Sequence, residues 1–241
     1  MSEWDADADA TGTPVPGAPE PGLKGVASIR EPTRSERAVG RRAAETRATV
    51  PDLELGLEVD AGPAQSRAAS EGCSLTAVLV SACAAALRAH PRANGAYRDG
   101  HFELHSRVNV AVTMPTEDAS VAATLLDADT RSLAELQSEL TRLGDLAAAG
   151  ELTAAALAGA TFTLSDLGPQ GVHRASPFIT PPQAAAIAAG AVRSVPIVQD
   201  GEVRPGQALS LTLAADSRIL FGAAAARFLV AVGQALESVR P

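Results

Sequence analysis

The chain has 241 residues, a formal net charge of −8 at pH 7, 46% hydrophobic residues and only 3% aromatic ones. That is ample apolar material for one large core, with alanine doing much of the filling, and the acidic balance argues against a nucleic-acid or anionic-membrane partner. The most apolar stretch, Leu75 to Leu87, is too short to span a bilayer, and the acidic start from Met1 to Asp9 lacks the apolar run of a signal peptide, so the expected location is cytoplasmic.

Residues 1 to 27 mix Asp, Gly, Pro and Ala without apolar periodicity and read as a flexible tail, leaving 28–241 as the folded domain. Thr33 to Ala48 reads as an arginine-rich amphipathic helix opened by a capping box of Thr33 and Glu36. Asp52 to Asp60 alternates Leu53, Leu55, Leu57 and Val59 against Glu54, Gly56 and Glu58, the pattern of a half-buried strand. Ser74 caps a helix running to about Ala89, apolar nearly all round and therefore buried; Pro91 ends it. Cys73 and Cys83 lie in or beside it without CxxC or zinc spacing, which predicts buried reduced thiols and no metal.

Arg107 to Met114 alternates again, and Ser132 to Ala148 carries Leu133, Leu136, Leu140 and Leu143 on one helical stripe. A short helix is expected at Glu151–Ala158, strands at Thr161–Ser165, Ala186–Val192 and Leu209–Ala215, and a closing helix at Gly222–Val239. Strands and helices interleave without a regular βαβ rhythm, so the class is α+β.

Five segments in order resemble the catalytic domain of the dihydrolipoamide acyltransferases of 2-oxoacid dehydrogenase complexes. They are Glu36-Arg37 through Thr49-Val50-Pro51; Leu75–Leu87 followed by Pro91-x-x-Asn94; Asp127-Ala128-Asp129; Thr161-Phe-Thr-Leu-Ser165-Asp166-Leu-Gly168 through Pro181-Pro182-Gln183; and Pro196-Ile-Val-Gln-Asp200-Gly201-Glu202 leading to Asp216-Ser217-Arg218-x-x-Phe221-Gly222. The resemblance covers about residues 31–239. It implies a chloramphenicol-acetyltransferase-like two-layer sandwich of helices on a mixed sheet, and a homotrimer, or a larger assembly of trimers, with active sites between subunits. It also implies acetyl-coenzyme A or another acyl-CoA as co-substrate.

The last motif departs from the family's Asp-His-Arg-x-x-Asp-Gly. Ser217 stands where the family has its catalytic histidine, and Phe221 where it has the second aspartate. An imidazole accepts and returns the proton of acyl transfer, a serine hydroxyl does not do so unaided, and losing a positioned general base costs about 10²- to 10⁴-fold. The family aspartate pairs with an arginine near the start of the domain; Glu36 aligns at that arginine, with Arg37 next to it. Ser165 matches the hydroxyl that the family offers to the oxyanion, and Asp166 puts a charge where the family has asparagine.

Among the histidines, His173, between Gly171 and Pro177, is the first candidate for a relocated base, against the plainer reading of a solvent-facing loop residue. His101 and His105 read as surface residues, and His90 as the partner of a helix C-terminal dipole. The stretch Pro115-Thr-Glu-Asp118-Ala-Ser-Val-Ala-Ala-Thr-Leu is about two residues longer than its family counterpart and lacks its Gly-Leu, which points to a changed acceptor.

Three functions follow. The first is a stand-alone acyltransferase with a rebuilt site, acting on a small-molecule hydroxyl in bacterial specialised metabolism, as relatives in tetronate pathways do, with no lipoyl group on this chain. The second is a non-catalytic protein that assembles with an acyltransferase core. The third is an elimination or cyclisation on the same scaffold.

Overall fold

A computed structural model describes residues 29–116, 120–199 and 201–238; the tail expected at 1–27 lies outside them. Residues from Thr33 onward form one compact unit. In chain order its elements are α1 (Arg34–Thr49), β1 (Asp52–Asp60), α2 (Gly62–Glu71), α3 (Leu75–Ala89), β2 (Gly95–Arg98), β3 (His101–Leu104), β4 (Val110–Pro115) and β5 (Ser120–Leu125). Then follow α4 (Leu133–Ala148), β6 (Phe162–Asp166), β7 (Ala185–Ala189), β8 (Arg193–Gln199), β9 (Glu202–Asp216) and α5 (Gly222–Glu237).

The sheet runs β1-β9-β7-β6-β4-β5, with β8 paired to the first half of β9 and a separate β2-β3 hairpin. β6 is parallel to both β4 and β7, and the other pairs are antiparallel. The sheet is therefore mixed, as the α+β class requires.

Period-two alternation gives the sheet two unlike faces. Val110, Val112, Phe162, Leu164, Ile187, Leu209, Leu211 and Leu213 enter one continuous core with α3, α4 and α5. Phe162 and Phe228 meet edge to face at its centre, their ring centroids 5.8 Å apart. The opposite face carries small or polar residues in register: Gly56, Thr212, Ala188 and Ser165 lie in one row across β1, β9, β7 and β6. A small second cluster of Val50, Ile179 and Ala214 packs on that face, fixed where Thr46 Oγ1 donates to Ile179 O at 2.7 Å.

The capping box of Thr33 and Glu36 forms as read, with the Glu36 carboxylate accepting from Thr33 N at 2.7 Å. Five readings change. Glu151–Ala158 is a run of turns, not a helix. It is bounded by Gly150 and Gly159, both at positive φ, so there is room for little more than the costly first turn, and its Ala156 carbonyl serves Thr124 N instead. β9 is twice the expected length because its first half forms a hairpin with β8, in which Pro196 faces Pro205; prolines disguise a strand. β7 stops at Ala189, short of Val192. β4 starts at Val110 and not Arg107, whose side chain is held outside the strand by Asp127. Of the two thiols, Cys83 is buried, while Cys73 is half-buried.

Candidate active site

Ser165 and Asp166 are neighbours on β6 and so project to opposite sides of the sheet. Ser165 Oγ lies on the small-residue face, 2.9 Å from Thr113 Oγ1 on β4. Both hydroxyls line a cavity of about 200 Å³ with Thr163, Arg42, Phe178 and Thr180. A further chamber of about 270 Å³ adjoins it, walled by Ala111, Ala122, Ala160 and Gln183. The two share Arg42, Val121, Thr163 and Thr180, so they form one groove between α1 and the sheet. It exists because alanines and threonines stand where larger side chains would fill the space. Thr163 Oγ1 donates to Gln183 Oε1 at 2.7 Å, which holds the groove floor. Ser120, Val121 and Ala122, from the stretch after Pro115, form one wall of it.

Asp166 faces the other way. Its carboxylate accepts from Thr76 Oγ1 at 2.6 Å and from Gly168 N at 3.0 Å. Thr76 sits in the first turn of α3, where the helix dipole favours an anion. Asp166 thus ties the end of β6 to α3 at the rim of a separate cavity of about 400 Å³, and does not share the Ser165 groove.

His173 lies in a third place. It borders an open depression with Gly56, Glu58, Arg174, Arg193 and Ser210, over β1 and β9. The loop carrying it crosses the end of β7 so closely that a Cβ on Gly190 would stand 2.0 Å from the His173 carbonyl oxygen. Only glycine admits this approach. Of the other histidines, His101 is exposed and His105 half-buried, and His90 caps α3 with its ring 6.0 Å from that of Phe228.

Ser217 follows β9 in a turn pinned to the start of β1: its Oγ donates to Pro51 O at 2.6 Å and its N to the same oxygen at 3.0 Å. The turn is braced by Asp216, whose buried carboxylate accepts from Arg218 N at 3.0 Å, Nε at 2.9 Å and Nη2 at 2.8 Å; the guanidinium then stacks 4.8 Å from the Tyr97 ring centroid. Side-chain hydrogen bonding to Asp216 pushes the Arg218 pKa up, so this group is a permanent cation.

Phe221 is the N-cap of α5 and makes no side-chain capping bond. Its ring, 47% exposed, meets Phe102 at 6.4 Å and the Arg92 guanidinium at 5.4 Å. A cation therefore stands against position 221, held by an aromatic face.

Register separates Ser165 from Ser217. Thr212 is level with Ser165 across β7, and Ser217 lies five residues beyond it, which is roughly 16 Å along the strands and roughly 10 Å across them. Within one chain, Ser165, Asp166 and His173 line three different cavities. Sequence reading missed Thr113 and Arg42 beside Ser165, and Gln183 on the groove floor. Thr113 had a signal, being off the apolar phase of an alternating strand; Arg42 had none among so many arginines.

Residues 33–241 match the model of the 2-oxoacid dehydrogenases acyltransferase catalytic domain. The chain is 31% identical over 90% of its length to component 5 of the chloroplastic pyruvate dehydrogenase complex acetyltransferase of Arabidopsis thaliana, covering 47% of that protein. It spans about half the length of the curated relatives it matches. The dihydrolipoamide acetyltransferase of Azotobacter vinelandii, in whose mechanism a serine, a histidine and an asparagine were investigated, is similar at 25% identity with a TM-score of 0.84, over 90% of this chain and 94% of that one. Chloramphenicol acetyltransferase shares the fold alone, with a TM-score of 0.53 and 16% identity over 81% of this chain and 94% of that one. The chain belongs to the 2-oxoacid dehydrogenase acyltransferase catalytic-domain family.

Proposed function

We propose that this chain transfers an acetyl or other acyl group from a coenzyme A thioester to a hydroxyl of a small molecule, in the cytoplasm, as a step of bacterial specialised metabolism such as a tetronate-type pathway. The observation that carries this reading is the Ser165–Thr113 hydroxyl pair opening on a groove of its own. In the reaction the acceptor oxygen attacks the thioester carbonyl and a tetrahedral oxyanion forms. Ser165 Oγ–H donates to that oxyanion while Thr113 Oγ1 orients the serine. The C–S bond then breaks, and the hydroxyl proton ends on the departing thiolate.

Ser217 does not take the proton in this scheme, because a neutral hydroxyl is too weak a base and its Oγ–H is bonded to the Pro51 carbonyl, which cannot accept a proton onward. The acceptor must therefore carry an acidic hydroxyl or give its proton to the thiolate directly. The separation of Ser165 from Ser217 calls for a homotrimer or an assembly of trimers if both turns are to flank one site, one from each of two copies. The commitment of Ser217 also favours a second reading, a non-catalytic partner of an acyltransferase core.

The test is acceptor-dependent release of the coenzyme A thiol from acetyl-CoA by wild type and Ser165→Ala. Removing one oxyanion donor typically costs about 10²- to 10³-fold, so the variant should lose that much. No thiol release with any hydroxyl acceptor, or equal rates in the two proteins, would leave the assembly reading.

A further inference from the structure

The groove beside Ser165 has an unusual charge for an acidic protein. Of the described residues lining its two chambers, Arg42 is the single charged one; the rest are alanine, valine, leucine, phenylalanine, serine, threonine and glutamine. Arg42 is exposed at the mouth, and its guanidinium makes no hydrogen bond or ion pair among the described residues. Glu45, one turn further along α1, forms no ion pair with it. Nearby Arg47 is engaged, bonded to Asp52 at 3.5 Å and stacked 5.2 Å from the Phe178 ring centroid.

An unpaired guanidinium beside a chamber lined by hydroxyls is a receptor for a planar anion, because its forked donors match a carboxylate. The further chamber, about 270 Å³, lies just below the range of roughly 300–1,000 Å³ typical of small-molecule sites. It admits a small molecule and no more. Its apolar wall of Ala38, Val39, Ala122 and Leu157 would take the carbon skeleton, and the Ser165–Thr113 pair would stand beside the reacting oxygen.

We infer that the groove is the acceptor subsite and that the acceptor is a small hydroxy acid, its carboxylate held by Arg42 and its hydroxyl presented toward Ser165. This rests on the acyl-transfer reading and narrows its substrate class. The balance is that given above: the hydroxyl oxygen gains the acyl carbon, the thiolate gains the proton, and the carboxylate is unchanged. Position, not acidity, is what Arg42 supplies.

The experiment uses the full chain and ligand-observed NMR with matched pairs, lactate against lactamide and mandelate against mandelamide, in wild type, Arg42→Gln, Arg42→Lys and Arg41→Gln. Arg42 is exposed and unpaired, so its variants should melt as wild type does, and melting curves check this. The acids should bind at least about tenfold more tightly than their amides, the usual scale for one charge-assisted contact. Arg42→Gln should erase that preference, Arg42→Lys should restore part of it, and Arg41→Gln should leave it intact. Absence of any preference, or its survival in Arg42→Gln, or its loss in Arg41→Gln, overturns the inference. Acetyl-CoA titrated into the same proteins separates the two claims. If it binds and the acids do not, the groove assignment fails while acyl transfer stands; if the acids bind through Arg42 and acetyl-CoA does not, the reverse holds. Weaker acetyl-CoA binding in Arg42→Gln would give the arginine to a donor phosphate and also overturn the inference.

Discussion

Asp216→Ala tests whether the turn that carries Ser217 is held by electrostatics. The Asp216 carboxylate is 3% exposed and accepts from one backbone N–H and two guanidinium nitrogens of Arg218. A hydrogen bond to a charged group contributes about 1.5–3 kcal/mol, and orphaning one partner of a buried pair costs about 3–5 kcal/mol. The Arg218 side chain is 35% exposed, so water takes up part of the loss and the lower range applies, about 2–3 kcal/mol. For a domain of roughly 200 residues the unfolding entropy is about 0.4 kcal/mol/K, so Tm should fall by about 5–7 °C. Asp216→Asn, which keeps an acceptor for Arg218 N, should lose about half as much. Thermal unfolding followed by circular dichroism and calorimetry reads both. A Tm within about 1 °C of wild type for Asp216→Ala would refute the argument, since the pair would then be doing nothing for the turn.

The thiols and the acid limb of stability give two more expectations. Burial pushes the Cys83 thiol up to about 12, so native protein should react with a thiol reagent at Cys73 alone and take up a second equivalent only when unfolded; two rapid equivalents would contradict the packing of α3. Hydrogen bonds from Ser132 hold the Glu135 carboxyl below its ordinary 4.5, and Arg142 does the same for Glu139. A carboxyl depressed in the folded state binds its proton more readily in the unfolded chain, so its stabilisation is present above about 4.5 and drains away as pH falls. Stability against urea should therefore drop below that pH, and the double variant Glu135→Gln/Glu139→Gln should drop less steeply; identical slopes would deny these contacts a role.

What could be read from the sequence was whatever depends on near neighbours in the chain. The alternation of Leu53, Leu55, Leu57 and Val59 marked β1 because one face is buried and the other is not. The capping box of α1 closes within four residues. α2 was missed although Pro63 in its first turn and the left-handed Gly72 that caps it are start and stop signals; without a long apolar stripe between them they passed for loop. β8 was hidden by Pro196 within it and Pro205 opposite it.

The site divides the same way. Ser165 was identifiable from its motif, and its opposition to Asp166 follows from strand period. Thr113 meets Ser165 only through parallel pairing of β4 with β6, and Arg42 reaches the groove only because α1 lies along that face. The distance from Ser165 to Ser217 needs the register of three strands. Such facts arise from long-range pairing, to which local patterns are blind.

The measurement that bears most directly on acyl transfer is the heat of acetyl-CoA binding to the purified chain, with Ser165→Ala beside it. The account predicts micromolar affinity, shifted by the substitution because the thioester carbonyl lies at that hydroxyl. No heat at millimolar acetyl-CoA would contradict it, leaving a family member that has kept the fold and given up the donor.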